Sequence, residues 1–521
     1  MQRTDQYKVP PSGQARERLR EKGQFWTPDW IAQPMVEYVL EGQGGVLFDP
    51  AVGTGAFFRA AKVLAMERGL CVSLRGMEID PTVLKQALAH GLEEADLTGV
   101  VLGDFILHAP NTRFPAIVAN PPYIRHHRLT QDKKEQLRRL SFQTTGKILD
   151  GRTGLHVYFL IRALSLLEEN GRLAFIMPAD TCEGKFANDL WSWISVNFAL
   201  DAVVTFTPEA SPFPGVDTNP LIFFIRKSAP REKFLWVRCQ RPGTDAIKTW
   251  VRSGFSCVLE SDLTVTERKL DEGLVTGLSR EPILNGASKY VLGDFVQVVR
   301  GIATGANEFF FMTVERAKRL GIPEEDFVKA IGRTRDTPGE EITRETMANL
   351  EARGRPTLLL SLNDGDMERY PESIRQYLSE GERLGLPKRP LISQRKPWYR
   401  MEFRVPPPFL FAYLGRRHSR FIRNTAGVVP LTGFLCIYSK SNDKAYLDRL
   451  WKILNHPETI ANLPRVGKSY GDGALKVEPR LLERLPIPDK VIEQVGLPVQ
   501  MRLFEQEESY IAGQDSCRAA T

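Results

Sequence analysis

Four consecutive residues, Asn120, Pro121, Pro122 and Tyr123, follow the apolar run FPAIVA and could act together on one planar amine. Two adjacent prolines cannot continue a hydrogen-bonded element, and they fix the direction of the backbone. The Asn120 side-chain oxygen and the Pro121 carbonyl could then each accept one N–H of the same amino group. An aromatic amine is a poor nucleophile because its lone pair is delocalised into the ring. These two hydrogen bonds would draw the nitrogen towards tetrahedral geometry and turn its lone pair towards an electrophile. The pattern predicts group transfer to an aromatic amine by positioning and fixed dipoles, without a covalent intermediate.

A glycine-rich turn upstream of this tetrad is a second candidate site. The apolar run VLFD ends at Asp49 and leads into a turn containing Gly53 and Gly55, whose missing side chains let the backbone approach a ligand. Such turns occur in many nucleotide-binding proteins. Phe58 stands where the dinucleotide fingerprint has its third glycine, which disfavours NAD as the cofactor.

Two further acidic residues continue this pattern, each at the end of an apolar run. GMEIDP places Glu78 where a carboxylate can accept hydrogen bonds from two ribose hydroxyls. GDF places Asp104 where it could accept a bond from an adenine amino group, with Phe105 against the ring. Either acid alone could merely cap a strand. Three such run ends in sequence order, beginning with Asp49, predict a cofactor that contains a nucleoside.

Short apolar runs alternate with helix-like stretches in the first half of the chain. The runs cover 46–49, 74–79, 100–102, 116–119 and 172–177, and the helix-like stretches cover 57–67, 81–90 and 156–167. Strands separated by helices predict an α/β fold with a parallel sheet, which binds ligands at the carboxyl ends of its strands. The alternation fades near residue 245, so we expect one domain over 1–245 and another over 246–521.

With these motifs in place, the chain resembles the gamma-class, TaqI-like N6-adenine DNA methyltransferases of restriction-modification systems, a group that includes the Eco57I-type enzymes. The matching segments span nearly the whole chain: GQFWTP at 23–28, DPAVGTGAFF at 49–58, the tetrad, SPFPGVDTNPLIFFIRK at 211–227, and two segments at 290–312 and 463–488. The resemblance implies a Rossmann-like methyltransferase domain that uses S-adenosylmethionine, followed by a mixed α+β target-recognition domain. It also implies methylation of adenine N6 within a specific sequence of double-stranded DNA.

The resemblance assigns cofactor contacts to individual residues. Thr27 would contact the methionine carboxylate, and Asp49 with the backbone through Gly53 and Gly55 would surround the methionine portion. The ribose and adenine contacts would come from the next two strand ends, namely Glu78, Ile79, Asp104 and Phe105.

The resemblance also implies how the target base is held. Asn120 and Pro121 would grip the amine, and Tyr123 would stack on an adenine that has left the DNA helix, at a cost of about a few kcal/mol. Phe213 would stack on its opposite face, although Phe206 lies near and a single phenylalanine is more often a core residue. Phe25 would border the same pocket.

Basic residues concentrate in the second half of the chain. From 383 to 423 there are eleven lysines and arginines against one acid, Glu402. Aromatic residues are interleaved with them, a mixture suited to phosphates and grooves of nucleic acid. The DNA-binding candidates are Arg125, which follows the tetrad, and five residues of this basic stretch: Arg395, Lys396, Arg416, Arg417 and Arg420.

Composition excludes several other classes of protein. The six cysteines lack CxxC spacing, which disfavours a disulfide framework and a zinc site, and none follows a proline, which disfavours cytosine C5 methylation by a thiolate. We expect no metal site. The chain shows neither a long apolar run nor an apolar leader, so we expect a cytosolic protein without membrane contact.

Other functions are compatible with parts of this pattern. Methyltransferases that act on RNA or on protein glutamine also carry such tetrads, and the large second domain argues against them. A non-catalytic DNA-binding subunit would not need the intact tetrad. Methylation of cytosine N4 stays open, because the amine chemistry is the same. A fused nuclease is disfavoured by the few residues ahead of GQFWTP. We expect a monomer, and whether a separately encoded restriction endonuclease acts on the same site is open.

Overall fold

The computed structural model describes residues 26–498, except 184, 215–218, 283–287, 363–364, 413–418 and 470–474. Three candidates from the sequence, Phe25, Arg416 and Arg417, therefore lie outside the described residues, as do the glycines that follow Tyr470. Among the residues that are described, no helix combines the length and the apolar character needed to cross a bilayer.

The first structural unit alternates strands and helices. Its strands are β1 Gly45–Asp49, β2 Val72–Glu78, β3 Val100–Leu102, β4 Phe114–Ala119, β5 Leu167–Pro178, β6 Ala199–Phe206, β7 Pro220–Arg226, β8 Lys233–Cys239 and β9 Leu263–Lys269. Its helices are α1 Asp29–Leu40, α2 Ala56–Arg68, α3 Pro81–Ala89, α4 Glu94–Leu97, α5 Phe105–His108, α6 Gln131–Thr145, α7 Leu155–Ser165, α8 Lys185–Asn197, α9 Ala246–Arg252 and α10 Leu270–Thr276. The three helix-like stretches of the sequence lie in α2, α3 and α7.

The nine strands form one sheet in the order β3-β2-β1-β4-β5-β7-β6-β8-β9. The strands from β3 to β5 are parallel. The chain order reverses between β1 and β4, which is the position where open α/β sheets bind ligands at the carboxyl ends of their strands. The glycine turn follows β1 and the tetrad follows β4, so both candidate sites meet at this point.

The parallel sheet expected from the sequence is found over β1 to β5, whereas the second half of the sheet is mixed. β7 lies between β5 and β6 and is antiparallel to both, and β9 is antiparallel to β8. Parallel neighbours need a crossover connection, usually a helix. The described residues between β6 and β7 form only one 3-10 turn, at Pro208–Ala210. The chain therefore returns beside β6 in the opposite direction.

Two hydrophobic cores cover the two faces of this sheet. On one face Phe48, Ile117 and Phe175 pack with the apolar side of α7. On the other face Leu47 and Val118 pack with α1 and α2. Side chains of a strand alternate between faces, and burial on both sides explains why these strands read as continuous apolar runs rather than as alternating ones.

The first structural unit extends beyond the boundary predicted at residue 245. β9 pairs with β8 over its whole length, and Trp250 of α9 is completely buried in the same core as Tyr38. The polar stretch around Gly243 is a surface turn with a left-handed backbone, not a linker. The first unit therefore continues through α10, and the boundary falls between Thr276 and Tyr290.

The second unit is a mixed α+β structure with several small sheets. A five-stranded sheet contains, in spatial order, Val296–Arg300, Phe434–Ser439, Phe409–Ala412, Arg420–Asn424 and Glu341–Ile342; a four-stranded sheet contains Phe311–Met312, Leu358–Leu360, Phe327–Ile331 and Val429–Pro430. Two-stranded pairs join Tyr290–Val291 to Pro486–Ile487 and Lys468–Ser469 to Leu475–Lys476. The helices are Asn307–Phe310, Val314–Leu320, Arg344–Ala352, Glu372–Arg383, Lys444–Leu454, Pro457–Ala461, Pro479–Leu482 and Asp489–Val495.

Candidate active site

The Glu78 carboxylate anchors the glycine turn. Its Oε2 accepts a hydrogen bond from the backbone N–H of Gly53 at 2.8 Å. Its Oε1 accepts bonds from the N–H groups of Ile79 and Asp80, both at 2.9 Å. Glu78 is 7% exposed and lines a cleft at the carboxyl ends of β1, β2 and β4, which we call the first cleft. The acid expected to bind a ribose thus also ties the end of β2 to the turn after β1.

The two glycines of this turn are required for different reasons. Gly53 has a φ of 55°, and a Cβ there would meet only the Ala51 carbonyl, at 3.7 Å, so the cleft side of the turn stays open to a ligand. Gly55 has a φ of 77°, and a Cβ there would lie 2.3 Å from the Leu92 side chain. Gly53 therefore agrees with the expected close approach of a ligand, whereas Gly55 permits internal packing.

Asp49 is a completely buried acid behind the first cleft. Its Oδ1 accepts a hydrogen bond from the Ala51 N–H at 2.9 Å, and its Oδ2 has no partner among the described residues. Burial raises the pKa of Asp49 to about 8, the bond from Ala51 opposes the rise, and the charge of Glu78 adds to it. A cation bound in the cleft would favour the ionised form.

Asp104 and Phe105 form the far end of the first cleft. The Asp104 carboxylate caps α5 by accepting a bond from the Ile106 N–H at 2.9 Å, and it also pairs with the Lys133 ammonium of α6. Phe105 is 2% exposed, and its ring centroid lies 5.3 Å from that of Phe159 in α7. Sequence reasoning missed Lys133 and Phe159. Phe159 follows the apolar pattern of its helix, and nothing in the sequence distinguishes Lys133 from its neighbours.

The first cleft brings together most of the residues expected to bind a cofactor. Those on its wall are Thr27, Gly53, Glu78, Ile79, Asp104 and Phe105, with Asn120 and Pro122 of the tetrad. Asp49 and Gly55 are not on this wall and act from behind it. Ile79 is 68% exposed, so its side chain lies at the cleft rim.

The tetrad begins where β4 ends and faces the first cleft. The Asn120 side-chain nitrogen donates a hydrogen bond to Thr27 Oγ1 at 3.1 Å. Because the amide oxygen lies on the other side of Cγ, this bond directs Asn120 Oδ1 away from Thr27. Thr27 is 4% exposed and lies just before α1, so it fixes the orientation of a side chain 93 residues away.

The Tyr123 ring is held by two contacts. Its hydroxyl donates to the Ile176 carbonyl of β5 at 3.0 Å, and the imidazole of His156 meets the ring edge to face at a centroid distance of 6.0 Å. Burial raises the pKa of Tyr123 well above its usual value, with a further contribution from Asp180, so the hydroxyl remains a donor. His156 is missed by sequence reasoning.

A larger cleft of about 430 Å³ lies beside Tyr123, and we call it the second cleft. The first unit contributes residues that include Arg125, His156, Asp180, Phe206 and Trp236, and the second unit contributes Pro464 and Gly467. A space walled by both units and next to the tetrad is suited to a macromolecular substrate.

Phe213 is not where a stacking residue is expected. It is 5% exposed and belongs to the core cluster that contains Ala210 and Phe224. The described walls of the two clefts include Phe206 and not Phe213. In this structure Phe213 is a core residue, so stacking on a base would require its side chain to leave that core.

Among the described lysines and arginines that are expected to contact DNA, some are exposed and others form hydrogen bonds within the protein. Arg125 and Lys396 are exposed. Arg395 is half-buried: its guanidinium donates to the Ala303 carbonyl at 2.5 Å and lies 5.9 Å from the centroid of the Phe310 ring. Arg420 donates to the carbonyls of Thr337 and Gly339. These bonds give Arg395 and Arg420 contacts within the protein, and the expectation that both reach DNA stays a prediction.

Two family models match successive parts of the chain. The model described as N-6 DNA Methylase matches residues 5–241, and the model described as Type II methyltransferase M.Eco57I, C-terminal domain, matches residues 281–512. The interval between Thr276 and Tyr290, where the two structural units meet, overlaps the end of the gap between the two matches.

Characterised relatives and a solved structure agree with these matches. The chain is 24% identical to Type II methyltransferase M.AccI of Acinetobacter calcoaceticus, covering 90% of this chain and 85% of that protein. It is 23% identical to Type II methyltransferase M.XamI of Xanthomonas campestris pv. amaranthicola, covering 90% and 86%. Its fold is similar to that of the type IIL restriction-modification enzyme MmeI, solved in complex with DNA, with a TM-score of 0.53 and 13% identity. That match covers 90% of this chain and 64% of the MmeI chain.

Proposed function

The chain belongs to the N6-adenine DNA methyltransferases of restriction-modification systems, and we propose that its tetrad transfers the methyl group while its first cleft holds the donor. The observation that carries this proposal is the position of Asn120. Asn120 lines the first cleft and begins the segment that leads to Tyr123 beside the second cleft. One residue thus connects the proposed donor site with the proposed base site.

The residues of the first cleft fit S-adenosylmethionine. The buried Asp49 carboxylate, with one oxygen lacking a partner among the described residues, suits the positive charge of a methionine ammonium group. Glu78 can accept from ribose hydroxyls, and the rings of Phe105 and Phe159 offer an apolar wall for adenine. When bound, the donor supplies a methyl group on a sulfonium.

The tetrad supplies orientation rather than a base. Asn120 Oδ1 and the Pro121 carbonyl would each accept one N–H of the target amine, which turns the nitrogen lone pair towards the first cleft. Thr27 holds the Asn120 amide in the required orientation. Preorganised acceptors of this kind need no rearrangement at the moment of reaction. The methylated nitrogen then loses its extra proton to solvent, so no strong general base is needed.

Tyr123 would stack on the extruded adenine. Its hydroxyl is bound to Ile176, so the ring face is held at a fixed angle beside the second cleft. We propose Phe213 for the opposite face, which requires its side chain to leave the core, and Phe25 for the rim of the same pocket. A base fixed between two rings loses little further freedom on the way to the transition state.

Double-stranded DNA would lie across the second cleft, between the methyltransferase unit and the target-recognition unit. Arg125 at the cleft and the exposed Lys396 are the described residues proposed for phosphate contact. Arg416 and Arg417 are proposed for the same task from sequence alone. We further propose that the protein acts as a monomer in the cytosol, where bacterial DNA lies. A separate restriction endonuclease that cuts the same site is its expected genetic partner.

Single-molecule sequencing of DNA from cells that express the protein tests this function. Wild-type protein should leave N6-methyladenine at one recurring sequence, and an Asn120→Ala variant should leave none. Methylation of cytosine N4 instead would correct the base and preserve the mechanism. Identical patterns in both cultures would refute the proposed role of the tetrad.

A further inference from the structure

The second cleft contains buried nitrogen atoms that lack hydrogen-bond partners. His156 is 4% exposed and Trp236 is 2% exposed, and both line this cleft. Within the described part of the chain, neither imidazole nitrogen of His156 has a hydrogen-bond partner, nor does the Trp236 indole nitrogen. A buried polar group without a hydrogen-bond partner destabilises the folded protein, so such groups in a cleft point to a ligand that provides the missing bond.

One nitrogen of His156 is directed towards the cleft. A Cβ on Gly154 would lie 2.5 Å from the imidazole Cε1 and 2.8 Å from Nδ1, so that side of the ring is packed against the backbone. The other nitrogen, Nε2, lies 3.6 Å from an Asp180 carboxylate oxygen, and the Asp180 side chain is 63% exposed. Nε2 therefore faces the side from which a ligand arrives.

Packing against Tyr123 alone does not explain a histidine at this position. The imidazole meets the Tyr123 ring edge to face, and a phenylalanine could make the same contact without leaving nitrogen atoms unpaired. Burial lowers the pKa of His156, partly opposed by Asp180, so the neutral ring has one N–H donor. A neutral donor suits an uncharged acceptor on an aromatic ring.

The hydrogen bonds proposed between the target amine and residues Asn120 and Pro121 do not distinguish adenine from cytosine. Asn120 and Pro121 would read only an amino group, which adenine and cytosine share. On one side of this amine both bases carry a ring nitrogen. On the other side adenine presents the acceptor N7, whereas cytosine presents a C–H group.

We infer that His156 Nε2–H donates a hydrogen bond to N7 of the extruded adenine and so selects adenine over cytosine. This inference rests on the proposed function. The residue stands beside Tyr123, on which the base would stack, and its nitrogen faces the cleft by which the base would enter. His156 would thus be a specificity-determining residue of the target pocket.

Steady-state methylation of two duplexes tests this inference. The duplexes share the recognised sequence and differ only in carrying adenine or 7-deazaadenine, which lacks the N7 acceptor, at the target position. Wild-type protein should show about tenfold lower kcat/KM on the 7-deazaadenine duplex, equivalent to one hydrogen bond of about 1.4 kcal/mol. His156→Phe should show equal kcat/KM on both duplexes, and His156→Gln, which retains an N–H donor, should keep the preference for adenine.

A different result would overturn the inference. If His156→Phe lowers kcat/KM equally on both duplexes and keeps the wild-type preference, His156 only supports Tyr123. If wild-type protein shows no preference, the inference fails even where His156→Phe does not fold. Donor binding reports folding, because His156 is not on the described wall of the first cleft. Failure of the proposed function is distinct, since wild-type protein would then methylate neither duplex.

Discussion

The side-chain amide of Asn120 donates a hydrogen bond to Thr27 Oγ1 at 3.1 Å, across 93 residues of sequence. Thr27 lies just before α1 and is expected to contact the methionine carboxylate, whereas Asn120 is the first residue of the tetrad. The bond would couple the proposed donor site to the proposed hydrogen bonds between the tetrad and the target amine. Binding of the donor and orientation of the acceptor are therefore parts of one arrangement.

Loss of the Thr27 hydroxyl should impair catalysis more than folding. In Thr27→Val the Asn120 amide loses the acceptor that orients it, and we expect about a tenfold fall in kcat, which corresponds to about 1.4 kcal/mol. Rapid-quench measurement of methyl transfer to duplex DNA would report the change. Thr27→Ser keeps the hydroxyl and should retain most of the activity. Equal rates for the valine and serine variants would show that this bond is unimportant.

Donor binding should depend on pH through Asp49. The pKa of Asp49 is raised to about 8 by burial, so the acid is mostly protonated at neutral pH in the free protein. A cationic donor favours the ionised form, and affinity measured by calorimetry should therefore rise as the pH increases from 6 towards 8. Asp49→Asn should bind more weakly and lose this part of the dependence. The titration of the donor's own amine is common to both proteins and cancels in the comparison.

Asp49 should also make the stability of the donor-free protein depend on pH. This stability should fall as the pH rises, whereas the affinity for the donor should rise. The folded pKa of Asp49, about 8, lies above its ordinary value of 3.8, so the native state binds more protons than the unfolded state between these values. The contribution of Asp49 to stability is fully present below about pH 4 and is lost as the pH rises towards 8. The donor-free protein should thus lose less stability over this range when Asp49 is replaced by asparagine. Urea denaturation at several pH values gives the free energy of unfolding as a function of pH. If this dependence is the same in wild type and Asp49→Asn, Asp49 is not responsible for it.

Lys133 should hold the adenine end of the donor site. Its ammonium pairs with the Asp104 carboxylate, which lines the first cleft. Lys133→Met removes the ammonium contact and leaves the carboxylate held by the Ile106 N–H. We expect about three- to tenfold weaker donor binding, the loss of about 1 kcal/mol expected for a hydrogen bond. Fluorescence titration with the donor would measure it. The matched control is Lys134→Met on the same helix, and comparable weakening by both variants would contradict a specific role for Lys133.

Two adjacent basic residues should behave differently. Lys396 is exposed, so Lys396→Ala should weaken DNA binding. Arg395 donates a hydrogen bond to the Ala303 carbonyl, so Arg395→Ala should lower the melting temperature. For Lys396→Ala the slope of log K against log salt concentration should fall by about 0.9, the value for one phosphate contact. Fluorescence anisotropy over a salt series and thermal melting separate the two effects. An unchanged salt slope for Lys396→Ala would remove it from the DNA-binding surface.

Sequence reasoning found the ends of the strands better than the contacts between distant segments. Asp49, Glu78, Asp104 and Asn120 each stand at the end of a short run that forms a strand, and parallel strands place such positions at one edge of a sheet. The family resemblance added the N-terminal motif with Thr27 and the nature of the substrate. The family models and relatives then confirmed the methyltransferase fold and the class of reaction.

The residues that were missed depend on tertiary packing. Lys133 reaches Asp104 only because α6 crosses the end of β3, and His156 reaches Tyr123 only because α7 packs behind the tetrad. Local sequence gives no sign of either contact. The sequence also does not show that β9 rejoins the sheet, because the turn at Gly243 has the composition of a linker.

Single-turnover transfer of a radioactive methyl group to duplex DNA, with wild-type protein and Asn120→Ala compared at saturating donor and DNA, tests the central claim most directly. We expect Asn120→Ala to bind both substrates and to lose at least about a hundredfold in rate, as expected for removal of one preorganised group at the reacting centre. Equal rates for the two proteins, or no transfer by wild-type protein to any duplex, would contradict the proposed grip on the amine.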